Sequence, residues 1–190
     1  MLDISAGLVS IEPGSRIVAD GAGYPSGVGH GTHTTSVATG YAGGAHAGLG
    51  GPSLGDADGG SAFTYGDLYV PGTAGGGAAM GGAGGGIIRM NVAGTLAVHG
   101  TISANGASNA LGGGAGGSID LNVNVLSGDG LITASGGDAA SGEPCGDSCT
   151  TDTGGGGGGR IAIRGHVALL DAFSVETMHT HVQAFGGRSG

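Results

Sequence analysis

Lysine and tryptophan are absent from this chain, and five arginines stand against fourteen acidic residues, for a net charge of −9. Nucleic-acid binding rests on neutralising phosphates with a basic footprint, so nucleic acid is excluded as a partner. No apolar run approaches the ~18 residues that a membrane-spanning helix needs, which excludes membrane insertion. No charged n-region or apolar h-region follows Met1. If the protein works outside the cell, a leader has been removed or the sequence is a piece of a longer chain. Cysteine is scarce: Cys145 and Cys149 stand alone, in EPCGDSCTTD. A local disulfide closing this polar loop fits an oxidising setting; two free thiols or half of a metal site are the alternatives. Such a bridge would clip a loop and not staple a fold.

Glycine is abundant, at 50 of 190 residues beside five prolines. On composition alone that level suggests low-complexity disorder. Mean hydropathy is positive at +0.20 and only 10% of residues are charged, the reverse of a disordered chain. Fixing each glycine backbone costs about 1–2 kcal/mol, so ordered glycine needs a compensating structure. Close backbone approach supplies one: extended, polyproline-II-like glycine segments pack side by side and hydrogen-bond main chain to main chain. No strict G-X-Y period is present, which excludes collagen.

The stretch 112–137 shows the building unit. A glycine block leads into alternating Ile119, Leu121, Val123 and Val125, and a Gly128-Asp129-Gly130 turn delivers the short strand Ile132 to Gly136. Alternation places the apolar row inward and Asp120, Asn122 and Asn124 outward. The motif [I/V]-x-A-x-G recurs at Ile17, Ile102, Ile132 and Val182, and glycine blocks precede Ile87, Ile119 and Arg160. Repeated short strands, each too small to bury its own apolar face, predict stacking. The expected fold is all-β, parallel β-helix or solenoid-like, with packed polyglycine segments; a β-sandwich with a glycine layer is the alternative. One domain is expected over 1–190, with repeat strands near 8–21, 87–106, 119–136 and 161–186. A long glycine-rich excursion spans 22–86 and a cysteine loop spans 138–153. No helix is expected.

GGAGGGIIRMNVAGTLAVHGTISANG, GGGAGGSI and GGGGGGRIAI resemble a glycine-rich parallel β-helix repeat domain of large secreted and cell-surface proteins. The polyglycine layers are more loosely similar to those of phage tail-fibre adhesins. The resemblance implies extracellular architecture and carries no catalytic residue.

Several motifs suggest chemistry. Gly29-His30-Gly31-Thr32-His33 resembles the histidine motif of subtilisin-like proteases, but Asp20 lies too near and no G-T-S-M-A nucleophile follows. His30 with His33, and His179 with His181, are weak metal-ligand candidates; on a strand, His179 and His181 would point the same way. Outward polar positions on an edge strand are the simpler reading. Asp56, Asp58, Asp138, Asp147 and Asp152 lie in glycine loops where structural Ca²⁺ would find oxygen ligands, without a recognised calcium-loop spacing. No cofactor is otherwise expected. Tyr24, Tyr41, Tyr65 and Tyr69 in the excursion are candidate glycan contacts. The expected function is a non-catalytic extracellular structural module of a fibre, filament or adhesin. It would self-associate or join neighbouring repeat domains through its ends. Carbohydrate binding is the alternative, and a polysaccharide-active enzyme a remote one.

Overall fold

A computed structural model describes residues 1–29, 42–52, 63–139 and 153–190. The chain makes four passes. The first carries β1 (Leu2–Ala6), β2 (Val9–Ile11) and β3 (Arg16–Val18); the second carries β4 (Ile87–Val98) and β5 (Thr101–Ser103). The third carries β6 (Ser118–Ser127) and β7 (Leu131–Thr133). The fourth carries β8 (Arg160–Arg164), β9 (Ala168–Leu169), a 3-10 turn (Asp171–Phe173), α1 (Met178–His181) and β10 (Val182–Gln183). One six-stranded sheet has the order β1-β4-β6-β8, with β2 on β4 and β9 on β6. A four-stranded sheet, β10-β7-β5-β3, holds the four [I/V]-x-A-x-G segments. All these pairings are parallel.

The sequence expectation of an all-β parallel β-helix or solenoid is corrected by this arrangement. The chain is mixed α/β: its parallel strands lie in two sheets, and the stretch expected as repeat strand 161–186 is broken by the 3-10 turn and α1. No third sheet closes the passes among the described residues, because glycine segments occupy that side and do not form strands. The sandwich alternative required antiparallel pairs, and the pairs are parallel.

The core is set by register. Four aliphatic rows run across the strands: Leu2–Ile88–Ile119–Ile161, Ile4–Met90–Leu121–Ile163, Val9–Leu96–Leu126–Leu169 and Ile17–Ile102–Ile132–Val182. The middle two members of every row are fully buried. Such rows line the inward face of each sheet, while alternate positions, exposed Asn122 and Asn124 among them, face away from the core. β4 has one more residue than β6 between Val92 and Thr95, a bulge at Ala93-Gly94 that restores the row at Leu96.

On that third side the glycine segments form a hydrogen-bonded lattice. Successive N–H groups of 113–117 donate to the carbonyls of Gly154, Ala107, Gly76, Gly157 and Ala104, at 2.7 to 3.0 Å. Bonds leaving one segment toward so many neighbours cannot form a planar ladder, which is why these residues are extended yet belong to no sheet. A Cβ at Gly114 would collide with the Ala83 carbonyl, and one at Gly116 with the Ala134 carbonyl. Absence of side chains is therefore what lets the backbones meet.

The excursion is held to this lattice by buried His46. Its Nδ1–H donates to the Gly116 carbonyl at 2.8 Å, and the Thr73 hydroxyl donates to its Nε2 at 2.9 Å. Tyr65 packs its ring on His46, with centroids 5.0 Å apart, and donates its hydroxyl to the Ala74 carbonyl. Buried Ser118 on β6 donates to the Thr73 carbonyl at 2.6 Å, tying the excursion to the six-stranded sheet.

Candidate functional site: the outer sheet edges and the polar sheet face

The aliphatic rows do not stop inside the molecule. At one edge they end on Leu2, Ile4, Val9 and Ile17; at the other, on Ile161, Ile163, Leu169 and Val182. Ile4, Val9 and Ile17 at the first edge, and all four at the second, are half-buried and packed against the core, while Leu2 is exposed. The outer sides of β1 and β3, and of β8 and β10, have no strand partner among the described residues. Exposed Leu8 and Val18 adjoin the first edge, and exposed Leu170 and Phe185 the second. Unpaired edges with exposed aliphatics are surfaces that natural proteins blunt with charge, proline or a cover. β1 carries Asp3 and β8 carries Arg160 and Arg164, yet no strand among the described residues pairs with the outer side of either.

The two edges differ in how they finish. Between Leu169 and Val182 the fourth pass inserts residues 170–181, where the third pass needs only the turn from Ser127 to Leu131. The insertion begins on the turn below it: the Ala172 N–H donates to the Gly128 carbonyl, and the Gly128 N–H to the Asp171 carboxylate at 3.1 Å. Asp171 adopts a left-handed φ of 58°, a conformation a short polar side chain tolerates. Phe173 is driven wholly into the core. At the opposite corner the second edge stays open as a groove of about 320 Å³, lined by Ala47, Leu68, Arg160, Ile161, Val182 and Ala184.

A side-chain ladder also crosses the four-stranded sheet. Asp20 accepts from the Asn105 N–H at 2.6 Å, Asn105 from the Ser135 N–H at 2.8 Å, and Ser135 from the Phe185 N–H at 3.2 Å. Each acceptor is the residue before the final glycine of its [I/V]-x-A-x-G copy. Phe185 has no acceptor to offer, so the ladder ends with the fourth pass.

The outer face of the six-stranded sheet is polar. Asp120, fully buried, accepts from Nε and Nη2 of Arg164 at 2.9 and 2.7 Å and lies 3.5 Å from Arg89. The next cross-strand row is Ser5–Asn91–Asn122–Arg164. Asn91, Asn122 and Asn124 line a groove of about 210 Å³ with Val92 and the bulge residue Ala93. Sequence reading placed Asp120, Asn122 and Asn124 outward but missed the burial of Asp120, which follows only from the cross-strand position of two arginines.

No family model, curated protein or solved structure matches this chain.

The residues singled out by sequence fare unequally. His30, His33, Tyr41, Cys145 and Cys149 lie outside the described residues, as do Asp56, Asp58, Asp147 and Asp152. His179 and His181 lie on helix α1 and not on an edge strand; the Nδ1–H of His181 donates to the Gly130 carbonyl at 2.7 Å. Among the described residues no three His, Cys, Asp or Glu side chains converge as metal ligands. Tyr24 and Tyr65 serve internal packing: burial, and then the neighbouring Tyr24, push the Tyr65 hydroxyl far above the ordinary tyrosine range. Tyr69 is exposed beside the Asp67 turn, whose carboxylate accepts the Val70 and Tyr69 N–H groups and is held below its usual range by them. Among the described residues, Tyr24, Tyr65 and Tyr69 thus form no common platform. His46 and Thr73 make a hydroxyl–imidazole pair, but a backbone carbonyl holds the far nitrogen of the ring and burial lowers its pKa, so the pair serves as a brace. No helix among the described residues is long and apolar enough to cross a membrane.

Proposed function

We propose that this chain is a non-catalytic structural module of a cell exterior, a building block that lengthens a fibre, filament or adhesin by adding onto its sheet edges. The observation that carries the reading is the set of aliphatic rows, fully buried in the middle passes and still aliphatic where they emerge at both open edges. A catalytic surface would gather convergent polar groups in a deep pocket. Here the polar groups face a shallow sheet surface, and the conspicuous unfinished surface is apolar and edge-like. The test is light scattering of the purified chain across a concentration series, with electron microscopy of the same samples. The expected result is concentration-dependent growth into elongated particles. A monodisperse monomer at every concentration overturns the reading.

Carbohydrate binding is a second reading, favoured by the groove of Asn91, Asn122 and Asn124 beside Arg89 and Arg164. Amide side chains on a concave face offer donors and acceptors that suit sugar hydroxyls. Binding on a glycan array that is lost in Asn122→Ala supports this reading, and an array without binding removes it.

A further inference from the structure

We infer that the edge of β8, β9 and β10 receives the edge of β1, β2 and β3 from a second copy of this chain, head to tail and in the internal register. The inference rests on the structural-module reading and adds to it the partner, the polarity and the residue pairing. Continuing each row by one strand sets Ile161 against Leu2 of the next copy, Ile163 against Ile4, Leu169 against Val9 and Val182 against Ile17. Every one of these meetings is aliphatic on aliphatic, as in the interior. The groove over Ile161, Val182 and Ala184 lies where the next copy's Leu2, Ile17 and Ala19 arrive.

Charge points the same way. In residues 1–20, Asp3, Glu12 and Asp20 against Arg16 leave a net −2; in 160–190, Arg160, Arg164 and Arg188 against Asp171 and Glu176 leave +1. The register places Asp3 of the next copy opposite Ala162, with Arg164 opposite Ser5. Its carboxylate then lies between its own Arg89 and the first copy's Arg164, the two arginines that also flank Asp120 within each copy, here on exchanged sides. The edges are different surfaces, so the contact is heterologous and repeats without closing on itself at the dimer. Phe185 falls opposite Asp20 of the next copy and breaks the side-chain ladder there. The junction therefore lacks the amide and hydroxyl contacts that Asp20 and Asn105 accept at the internal steps, and is the place where a fibre comes apart.

The experiment uses two variants at exposed or half-buried edge positions, which the register sets opposite each other: Val18→Lys and Gln183→Lys. Lysine on a strand edge blocks edge pairing without requiring a change in the core. Thermal midpoints close to that of the unsubstituted chain confirm that both variants fold. By sedimentation velocity, each variant alone is expected to stay monomeric under conditions where the unsubstituted chain forms long oligomers. An equimolar mixture is expected to form a one-to-one dimer and grow no further, because only one pair of intact edges remains. Oligomers from either variant alone, or a mixture that stays monomeric, overturn the head-to-tail inference and leave the structural-module reading standing. An unsubstituted chain that is monomeric throughout overturns both. Should a variant fail to fold, Val18→Glu mixed with Gln183→Arg replaces the lysine pair. Restored pairing of the opposite charges is then expected, and its absence overturns the register.

Discussion

A side chain at Gly116 would meet the Ala134 carbonyl and the Gly159 amide, two backbone groups that cannot turn aside. Filling that space must move a chain segment, and with it the bonds from Gly116 to Gly157 and from Gly159 to Ala134. Gly116→Val is therefore expected to cost about 3 kcal/mol. Val123→Ala, a truncation in the ordinary aliphatic core, should cost about 2 kcal/mol. Urea midpoints of the two variants compare them directly; a neutral Gly116→Val would mean that the lattice contributes no packing. His46 gives the fold a pH signature. Burial lowers its pKa below 6.5, outweighing the raising effect of the Gly116 carbonyl, and the Arg160 charge lowers it further. The unfolded chain then binds the proton more readily than the fold. The stability this histidine supports is full above pH 6.5 and is lost as pH falls from there through the lowered folded value. Asp67 and Asp129, held low chiefly by hydrogen bonds, lose their contribution only in the acid range below about 3.8, so the windows separate. The urea midpoint should fall between pH 8 and pH 5, and His46→Gln should flatten that fall.

At the scale of elements, residues 170–181 behave unlike the rest of the chain. A four-residue helix has no stability of its own and is held by what packs on it. That anchor is Phe173, fully buried and in edge contact with His181 at 5.9 Å. Phe173→Ala is expected to cost about 3–5 kcal/mol and to release β9, α1 and β10 together. Hydrogen exchange should show lost protection at the Ala134 amide, which donates to the Gln183 carbonyl, before any loss in β4. The strands of this molecule are legible in the sequence because alternation and the [I/V]-x-A-x-G copies report burial two residues at a time. The pairing of those copies in one parallel sheet follows from their similarity. The helix is not legible, since Met178–His181 is shorter than the window that reveals a 3.6-residue period, and Phe173 is unremarkable until the core beneath it is seen. Polyglycine carries no side-chain pattern that tells a sheet from a lattice, and only the directions of its hydrogen bonds do so. Of the candidate site, the aliphatic pattern was readable, but which residues lie on an edge depends on the order of passes in space.

Across the whole molecule, stability should grade from the middle passes outward. Ile88, Met90, Leu96, Ile102, Ile119, Leu121, Leu126 and Ile132 are fully buried, whereas their row partners in the first and fourth passes are half-buried or exposed. Each inner strand has a neighbour on both sides and each outer strand on one, so local opening costs least at the edges. Amide exchange should then be slowest in β4 to β7, limited there by global unfolding, and faster in β1 to β3 and β8 to β10. Phe173 makes the two ends unequal, and β10 beside it should open less readily than β3. If copies add head to tail, raising the concentration should slow exchange at both sets of edge strands and leave β4 to β7 unchanged. The same experiment on Val18→Lys should show no dependence on concentration at either edge, because a single blocked surface removes every contact a uniform population can make. Concentration-dependent protection confined to the first edge would instead mean that like edges pair, since a head-to-tail contact must protect both.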